Sequence, residues 1–320
     1  MAVNWLRRSV LAAAGVSAAL LLTACGSSTI ESALKPERFV AFGDGFSDVG
    51  QVNGKRYTVN DGSVNNWTHK VASTYGLALT PTSAGGASYA QGNARVTLKP
   101  DAAGLAATPT VTEQITAFLA SGGIQTGDVV LLGAGTADIV AEAAAVKAGT
   151  QTSAQMLARL DQAGKELGAQ AIRLVNAGAQ HIVLAGAYNL GRSPWAIASG
   201  QVDLLTQASS KFNEALLVSI VDQGAKVLYI DTAYYFNLVT ASPGSYSFDN
   251  ATTAVCTSVD AGNGIGTGTG QVNAALCTPS TLLPGVSNTA KYVFADNVYV
   301  TPEAQRLFGT YAYDRLHARW

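Results

Sequence analysis

Short apolar runs alternate with stretches of helical periodicity along most of the chain. Arg38-Phe39-Val40-Ala41-Phe42 closes on Gly43-Asp44-Gly45, which reads as a strand entering a tight turn. Asp128-Val129-Val130-Leu131-Leu132, bounded by Gly127 and Gly133, predicts a second buried strand. His181-Ile182-Val183-Leu184-Ala185 predicts a third, and the run from Lys226 to Asp231 a fourth. Between them Val111, Ile115, Phe118 and Leu119 share one helical face. Met156, Leu157, Leu160, Leu167, Ile172 and Val175 mark a longer helix, and Leu204, Leu205, Phe212, Leu216, Leu217 and Ile220 another. Thr301-Pro302-Glu303-Ala304 is a cap followed by proline at the first helical position, opening a last helix with Leu307, Tyr311 and Leu316 on one side. Strands alternating with helices predict an α/β fold, a mostly parallel sheet with helices on both faces in a three-layer sandwich. Ligands of such sheets bind at the carboxyl ends of the strands, so the loops after Phe42, Leu132, Ala185 and Ile230 are the ones to watch.

Composition narrows this picture. With 48% hydrophobic and 13% charged residues, the 320-residue chain buries a large core and is neither disordered nor a coiled coil. No charge block or proline-rich linker divides it, so residues 37–320 read as one domain. Residues 1–24 read as a secretion signal: Arg7 and Arg8 precede an apolar run from Val10 to Leu22, too short to span a membrane. Leu22-Thr23-Ala24-Cys25 resembles the lipobox of bacterial lipoproteins, which implies that Cys25 becomes a lipidated N-terminus followed by a short polar tether over residues 25–36. Gly26 after it resembles the outer-membrane sorting pattern, so the expected location is the cell envelope, periplasmic or surface-facing, with the membrane as partner through that lipid.

Without the signal the chain keeps 18 basic and 21 acidic residues, a net charge of −3. That weak field, with no Lys/Arg cluster interleaved with aromatics, argues against nucleic acid as a partner. Cys256 and Cys277 lie 21 positions apart in a Gly/Thr/Asn-rich stretch, read as a long surface excursion over about 249–286. An exported protein meets oxidising conditions, so a disulfide between them is expected, contributing about 3 kcal/mol by closing the loop. A metal pair is the other reading, but no further Cys or His stands nearby. The Gly-Thr alternation from Gly262 to Gly270 does not follow a strand and lacks a dinucleotide-binding G-x-G-x-x-G, so no cofactor is expected.

Candidate chemistry begins where the first strand ends. Phe42-Gly43-Asp44-Gly45-Phe46-Ser47-Asp48-Val49-Gly50 resembles the first block, F-G-D-S-L-S-D-x-G, of the SGNH/GDSL ester hydrolases. Ser88 through Val96 is similar to their second block, Gly135-Thr136-Ala137-Asp138 occupies the place of the third, G-x-N-D, and Asn189 through Pro194 resembles their N-x-P-x-L-G-x-x-P loop. Asp296-Asn297-Val298-Tyr299-Val300-Thr301-Pro302 lines up with the last block, D-x-V-H-x-[TS]-P. The resemblance covers residues 38 to 318 and implies a flavodoxin-like sandwich and carboxylic-ester hydrolysis.

The departures bear directly on that activity. The family's nucleophilic serine falls at Gly45, its oxyanion asparagine at Ala137 and its general base at Tyr299, whose phenol titrates near 10. Asp296 remains of the triad, and the backbone N–H groups of Gly45 and Gly92 remain of the oxyanion hole. Acyl transfer needs an attacking oxygen, a base and donors aimed at the oxyanion, so no intact catalytic set is expected. The substituted positions then imply a binding surface of Asp44, Gly45, Gly92 and Tyr299 for an acyl or acylated-glycan group, with extra room beside Gly45. Tyr299 either hydrogen-bonds a ligand carbonyl or fills the vacated site, together with Phe46 in a purely structural version. Ser47, near the start of an expected helix, and His69, beside the cleft, are the candidates for a relocated nucleophile and base; His181 and His317 read as surface or packing residues. Asp44, Asp138 and Asp296 have a role without catalysis, accepting backbone N–H bonds at strand-to-helix turns. Two functions stand side by side: an inactive envelope lipoprotein acting as a binding or scaffold protein, and an active esterase with relocated groups.

Overall fold

β1 (Arg38–Gly43), β2 (Asp128–Gly133), β3 (His181–Ala185) and β4 (Val227–Ile230) pair in parallel in that spatial order, in a computed structural model that describes residues 32–63 and 66–320. The expected signal at 1–24, Cys25 and the start of the tether lie outside the described residues. The compact unit runs from Leu34 to Arg319. Val40 stands opposite Val130, and Val130 opposite Ile182. Because helices cover both faces, β2 is buried along its whole length and has the continuous apolar run of a parallel strand. At its start Asp128 grips Arg38 through two parallel bonds of 2.8 and 2.6 Å, which pins the register of β1 against β2.

A fifth parallel segment lies on the free side of β1. The Ala41 N–H donates to Ala87 O (3.1 Å), and the N–H groups of Tyr89 and Gln91 donate to Ala41 O (2.7 Å) and Gly43 O (3.1 Å). With it, the second strand-like segment in the sequence stands at the edge beside the first, and the remaining strands follow on the other side. This is the doubly wound order in which the chain changes direction between β1 and β2. The loops leaving Gly43 and Gly133 therefore stand at the switch point, where the crevice of such sheets is expected.

The helices are α1 (Trp67–Thr74), α2 (Val111–Ala120), α3 (Thr136–Lys147), α4 (Ser153–Asn176), α5 (Pro194–Ser199), α6 (Val202–Ser219), α7 (Thr232–Ala241) and α8 (Pro302–Arg319). Thr110 and Thr152 begin α2 and α4 with capping boxes completed by Glu113 and Gln155. α1 packs on α8, and α4 on α6. Three expected helical stripes are corrected. The buried face of α4 is Met156, Leu160, Ala163, Gly164, Leu167, Gly168, Ala171 and Leu174, not Leu157, Ile172 or Val175. On α6, Leu217 is 49% exposed while Ala208 and Ser209 are buried. On α8 the interior face is Ala304, Phe308, Ala312 and Leu316, with Leu307 and Tyr311 at its border. The reason is shared: small residues let neighbouring helices approach, so the seam follows alanine and glycine rather than the bulkiest side chains.

Cys256 and Cys277 form the expected disulfide, with Cα atoms 5.8 Å apart. The stretch around them is less superficial than its composition implies. β5 (Asn250–Ala254) pairs in parallel with β6 (Tyr292–Phe294), and Val255, Ile265 and Ala274 are buried. Among the described residues no helix is long and apolar enough to cross a membrane.

Candidate functional site

The turn after β1 sets the geometry of the crevice. Gly43 has φ +147°, and a Cβ there would stand 1.9 Å from Gly133 O, so only glycine fits. The side chain of Gln114 on α2 holds this turn at both ends of one residue, accepting from the Gly43 N–H (2.9 Å) and donating to Gly43 O (3.0 Å). Asp44 then points under the turn. One oxygen accepts the Phe46 N–H (3.0 Å); the other accepts those of Gly135 (3.1 Å) and Ala137 (3.2 Å). α3 begins after Gly135, which has no side chain to cap it, so the carboxylate of Asp44 satisfies the orphan donors and faces the positive end of the helix. Burial pushes the Asp44 carboxyl up to about 6 despite these donors.

Asp48 performs a second tie. It accepts the N–H groups of Gly50 and Gln51 (both 2.8 Å) and, through its other oxygen, that of Gly92 (2.8 Å). Burial raises its carboxyl to about 6. The Gly92 N–H is therefore engaged by a carboxylate and does not stand open as an oxyanion donor. Ser47 is not at the start of a helix; residues 45–47 form a turn, and the next helix begins at Trp67. The Ser47 hydroxyl is buried, donating to Gly133 O (2.9 Å) and accepting from the Trp67 indole (3.2 Å).

The space beside Gly45 is full. A Cβ on Gly45 would lie 2.7 Å from the Tyr299 hydroxyl oxygen and 2.9 Å from Cγ of Tyr57. A Cβ on Gly92 would lie 1.8 Å from Cε2 of Tyr57. The two rings pack at 5.0 Å between centroids, and Tyr299 is 1% exposed. Burial raises both phenols above their usual range, so neither is a base at neutral pH. The expected extra room beside Gly45 is corrected: Tyr299 and Tyr57 occupy it. Phe46 does not help to fill it, since its ring packs against Phe236 and Phe308 in the core.

The remaining family positions are held by backbone contacts. Ala137 is buried in the first turn of α3, and its N–H goes to Asp44. Asp296 accepts the N–H groups of Val298 (2.8 Å) and Tyr299 (2.6 Å) with one oxygen and that of Ala274 (2.8 Å) with the other. It thus ties the last block to the disulfide loop, and burial raises its carboxyl to about 6. Asp138 accepts the Val96 N–H (3.0 Å) and faces Arg95 (3.4 Å), which also pairs with Glu142; burial raises Asp138 to about 7.

The histidines are scattered. His69 is half-buried on α1, its imidazole lowered by burial and by nearby Arg56. His181 starts β3, at the end of the sheet opposite the crevice, and His317 lies against Tyr313 in the last turn of α8. Among the described residues no hydrogen bond joins Ser47 to an imidazole, and no cluster of three or more His, Cys, Asp or Glu has metal-ligand geometry. Sequence reasoning left Tyr57, Asp48 and Gln114 without a role. Asp48 stood inside the first block and was findable; Tyr57 and Gln114 lie between blocks, where no local pattern marks them.

The comparisons agree with the blocks and the topology. The family model for GDSL-like lipase/acylhydrolase matches residues 39–312. A GDSL esterase/lipase of Arabidopsis thaliana is 31% identical over 153 residues, spanning 44% of this chain and 38% of that protein's length. With a family match that runs from β1 into α8, the chain belongs to the GDSL-like lipase/acylhydrolase family.

Proposed function

We propose that this protein is a non-catalytic member of its family, an exported envelope lipoprotein that works as a binding or scaffold protein. One observation carries the reading: the rings of Tyr299 and Tyr57 fill the volume in which a side chain on residue 45 would act. Loss of the nucleophile or base from a serine-hydrolase unit costs about 10⁶ in turnover, and what survives comes from the oxyanion hole. Here the Gly92 N–H is already bound to Asp48 and residue 137 is an alanine with no side-chain donor, which weakens that remainder of catalysis as well. An acyl or acylated-glycan ligand at Asp44, Gly45, Gly92 and Tyr299 would have to displace both rings, so the packing favours a scaffold role at that position.

Signal-free protein assayed with p-nitrophenyl butyrate and a fluorophosphonate probe is expected to give neither saturable turnover nor labelling. Turnover or stoichiometric labelling that disappears in Ser47→Ala would establish the active-esterase alternative. Installing the family residues by Gly45→Ser, Ala137→Asn and Tyr299→His is expected to restore turnover only with Tyr57→Ala added, because Tyr57 stands against both glycines and its Cγ is the atom that meets residue 45. The lipoprotein part of the reading rests on the Leu22-Thr23-Ala24-Cys25 pattern. It is tested by labelled palmitate incorporation in a bacterial host, expected for the full chain and absent in Cys25→Ala.

A further inference from the structure

A second hollow lies beside the tyrosine plug. It has a volume of about 170 Å³, and Gly45, Ala137 and Tyr299 take no part in its lining. Tyr57 separates the two: its ring covers Gly45 and Gly92 and also forms a wall of the hollow. The volume is close to that of an engineered cavity, roughly 150 Å³, that accepts one six-membered ring.

The walls combine two kinds of surface. Val52, Leu105, Ala275 and the Tyr57 ring are apolar. Asn93 and Asp101, each 5% exposed, supply acceptors. The Asn93 amide nitrogen donates to Gly264 O (3.0 Å), which fixes the amide orientation, while its Oδ1 is buried with no hydrogen-bond partner among the described residues. An unpaired buried acceptor costs about 1–3 kcal/mol, so this position favours a ligand that brings a donor. Asp101 accepts the Leu105 N–H (2.8 Å) on one oxygen and the Thr108 hydroxyl (2.6 Å) on the other, leaving lone-pair capacity on the second. The wall carries Asp48 and Asp101 against the single cation Lys55, so its charge does not select a free fatty acid or a phosphate. Largely apolar walls with fixed acceptors suit a neutral ring that has apolar faces and hydroxyl donors at its edge.

We propose that this hollow binds a single neutral sugar ring, with a ring face against Tyr57 and hydroxyls donating to Asn93 Oδ1 and Asp101. The site adjoins the position where the family's reaction would occur, sharing Gly92 and Asp48 with it but not Gly45, Ala137 or Tyr299, and it does not depend on whether the chain hydrolyses esters. The ring has two possible sources, a free monosaccharide or the end of a glycan chain, and both offer the same hydroxyl-edged ring.

Ligand-observed NMR on signal-free protein separates these, using N-acetyl-D-glucosamine, D-glucose and the β-1,4-linked trimer of N-acetyl-D-glucosamine, with butyrate and methylammonium as controls. Saturable binding of at least one sugar with a Kd of about 1 mM or tighter is expected. It should weaken at least tenfold in Asn93→Gly, which tolerates the left-handed backbone of that residue (φ +64°) but lacks the amide. It should weaken likewise in Leu105→Trp, which occludes the mouth from a position 60% exposed and therefore leaves folding intact. Binding of the monomers alone identifies a free sugar, and binding of the trimer as well identifies a chain end. No saturable sugar binding, binding of butyrate or methylammonium in its place, or sugar binding unchanged in both variants would overturn the proposal. The esterase assay above is a separate readout, so failure here leaves the non-catalytic reading standing.

Discussion

Glycine allows close approach in two regions of this protein, and what approaches differs. In the seam between α4 and α6, a Cβ on Gly164 would lie 2.2 Å from the backbone oxygen of Phe212. In the crevice, a Cβ on Gly92 would lie 1.8 Å from a ring carbon of Tyr57. The first collision is with main chain fixed in a helix; the second is with the far end of a side chain. The seam is therefore a property of the fold, whereas the filled crevice depends on two replaceable aromatic residues. The carboxylate frame around the crevice, Asp44, Asp48, Asp138 and Asp296, persists because each bonds backbone N–H groups whether or not chemistry takes place between them.

The contrast between a rigid seam and a yielding crevice has measurable consequences. The largest effect is expected from Gly164→Ala, which overpacks a backbone contact and should cost about 3 kcal/mol in denaturant unfolding, with no relief from shortening neighbouring side chains. A loss under about 1 kcal/mol would show that the seam yields as readily as the crevice. Next is Gly92→Ala, expected to cost about 2 kcal/mol in the natural background. In Tyr57→Leu, which lacks the offending ring atoms, the cost should fall below about 0.5 kcal/mol, a coupling of roughly 1.5 kcal/mol. An additive cycle would mean that backbone, not Tyr57, limits residue 92.

The smallest expected effect is that of pH. Asp44, Asp48 and Asp296, near 6 in the fold, and Asp138, near 7, all lie above the ordinary value of 3.8. Between these limits the fold retains protons that the unfolded chain has released. Their contribution is therefore full below about 3.8 and lost as pH rises through 6 to 7. His69 and His181, lowered by burial, oppose this, since their contribution is lost on acidification below the ordinary histidine value. The four carboxylates are the more deeply buried set, so thermal unfolding should occur at higher temperature at pH 5.5 than at pH 8. Asp138→Asn should flatten that rise, whereas Gly164→Ala should leave its slope unchanged.

Legible in the sequence alone were the four strands that form the main sheet, several of the helices, the order of the family blocks, the disulfide pairing and the presence of Gly45, Ala137 and Tyr299 within those blocks. These are local facts: apolar runs, caps and residue identities at fixed spacing. What fills the space beside Gly45 and Gly92 is visible only in the folded chain. Tyr57 lies between blocks and meets Gly45 and Gly92 through chain reversals that no periodicity encodes. The seams of α4, α6 and α8 depart from the apolar stripes for a related reason, because helical pattern marks bulky residues while close packing selects small ones. Whether Gly92's N–H stood free depended likewise on a carboxylate 44 positions earlier in the chain. A residue's identity fixes what it can donate, accept or fill, but which partner it meets depends on contacts between segments distant in sequence, and only the folded chain brings those together.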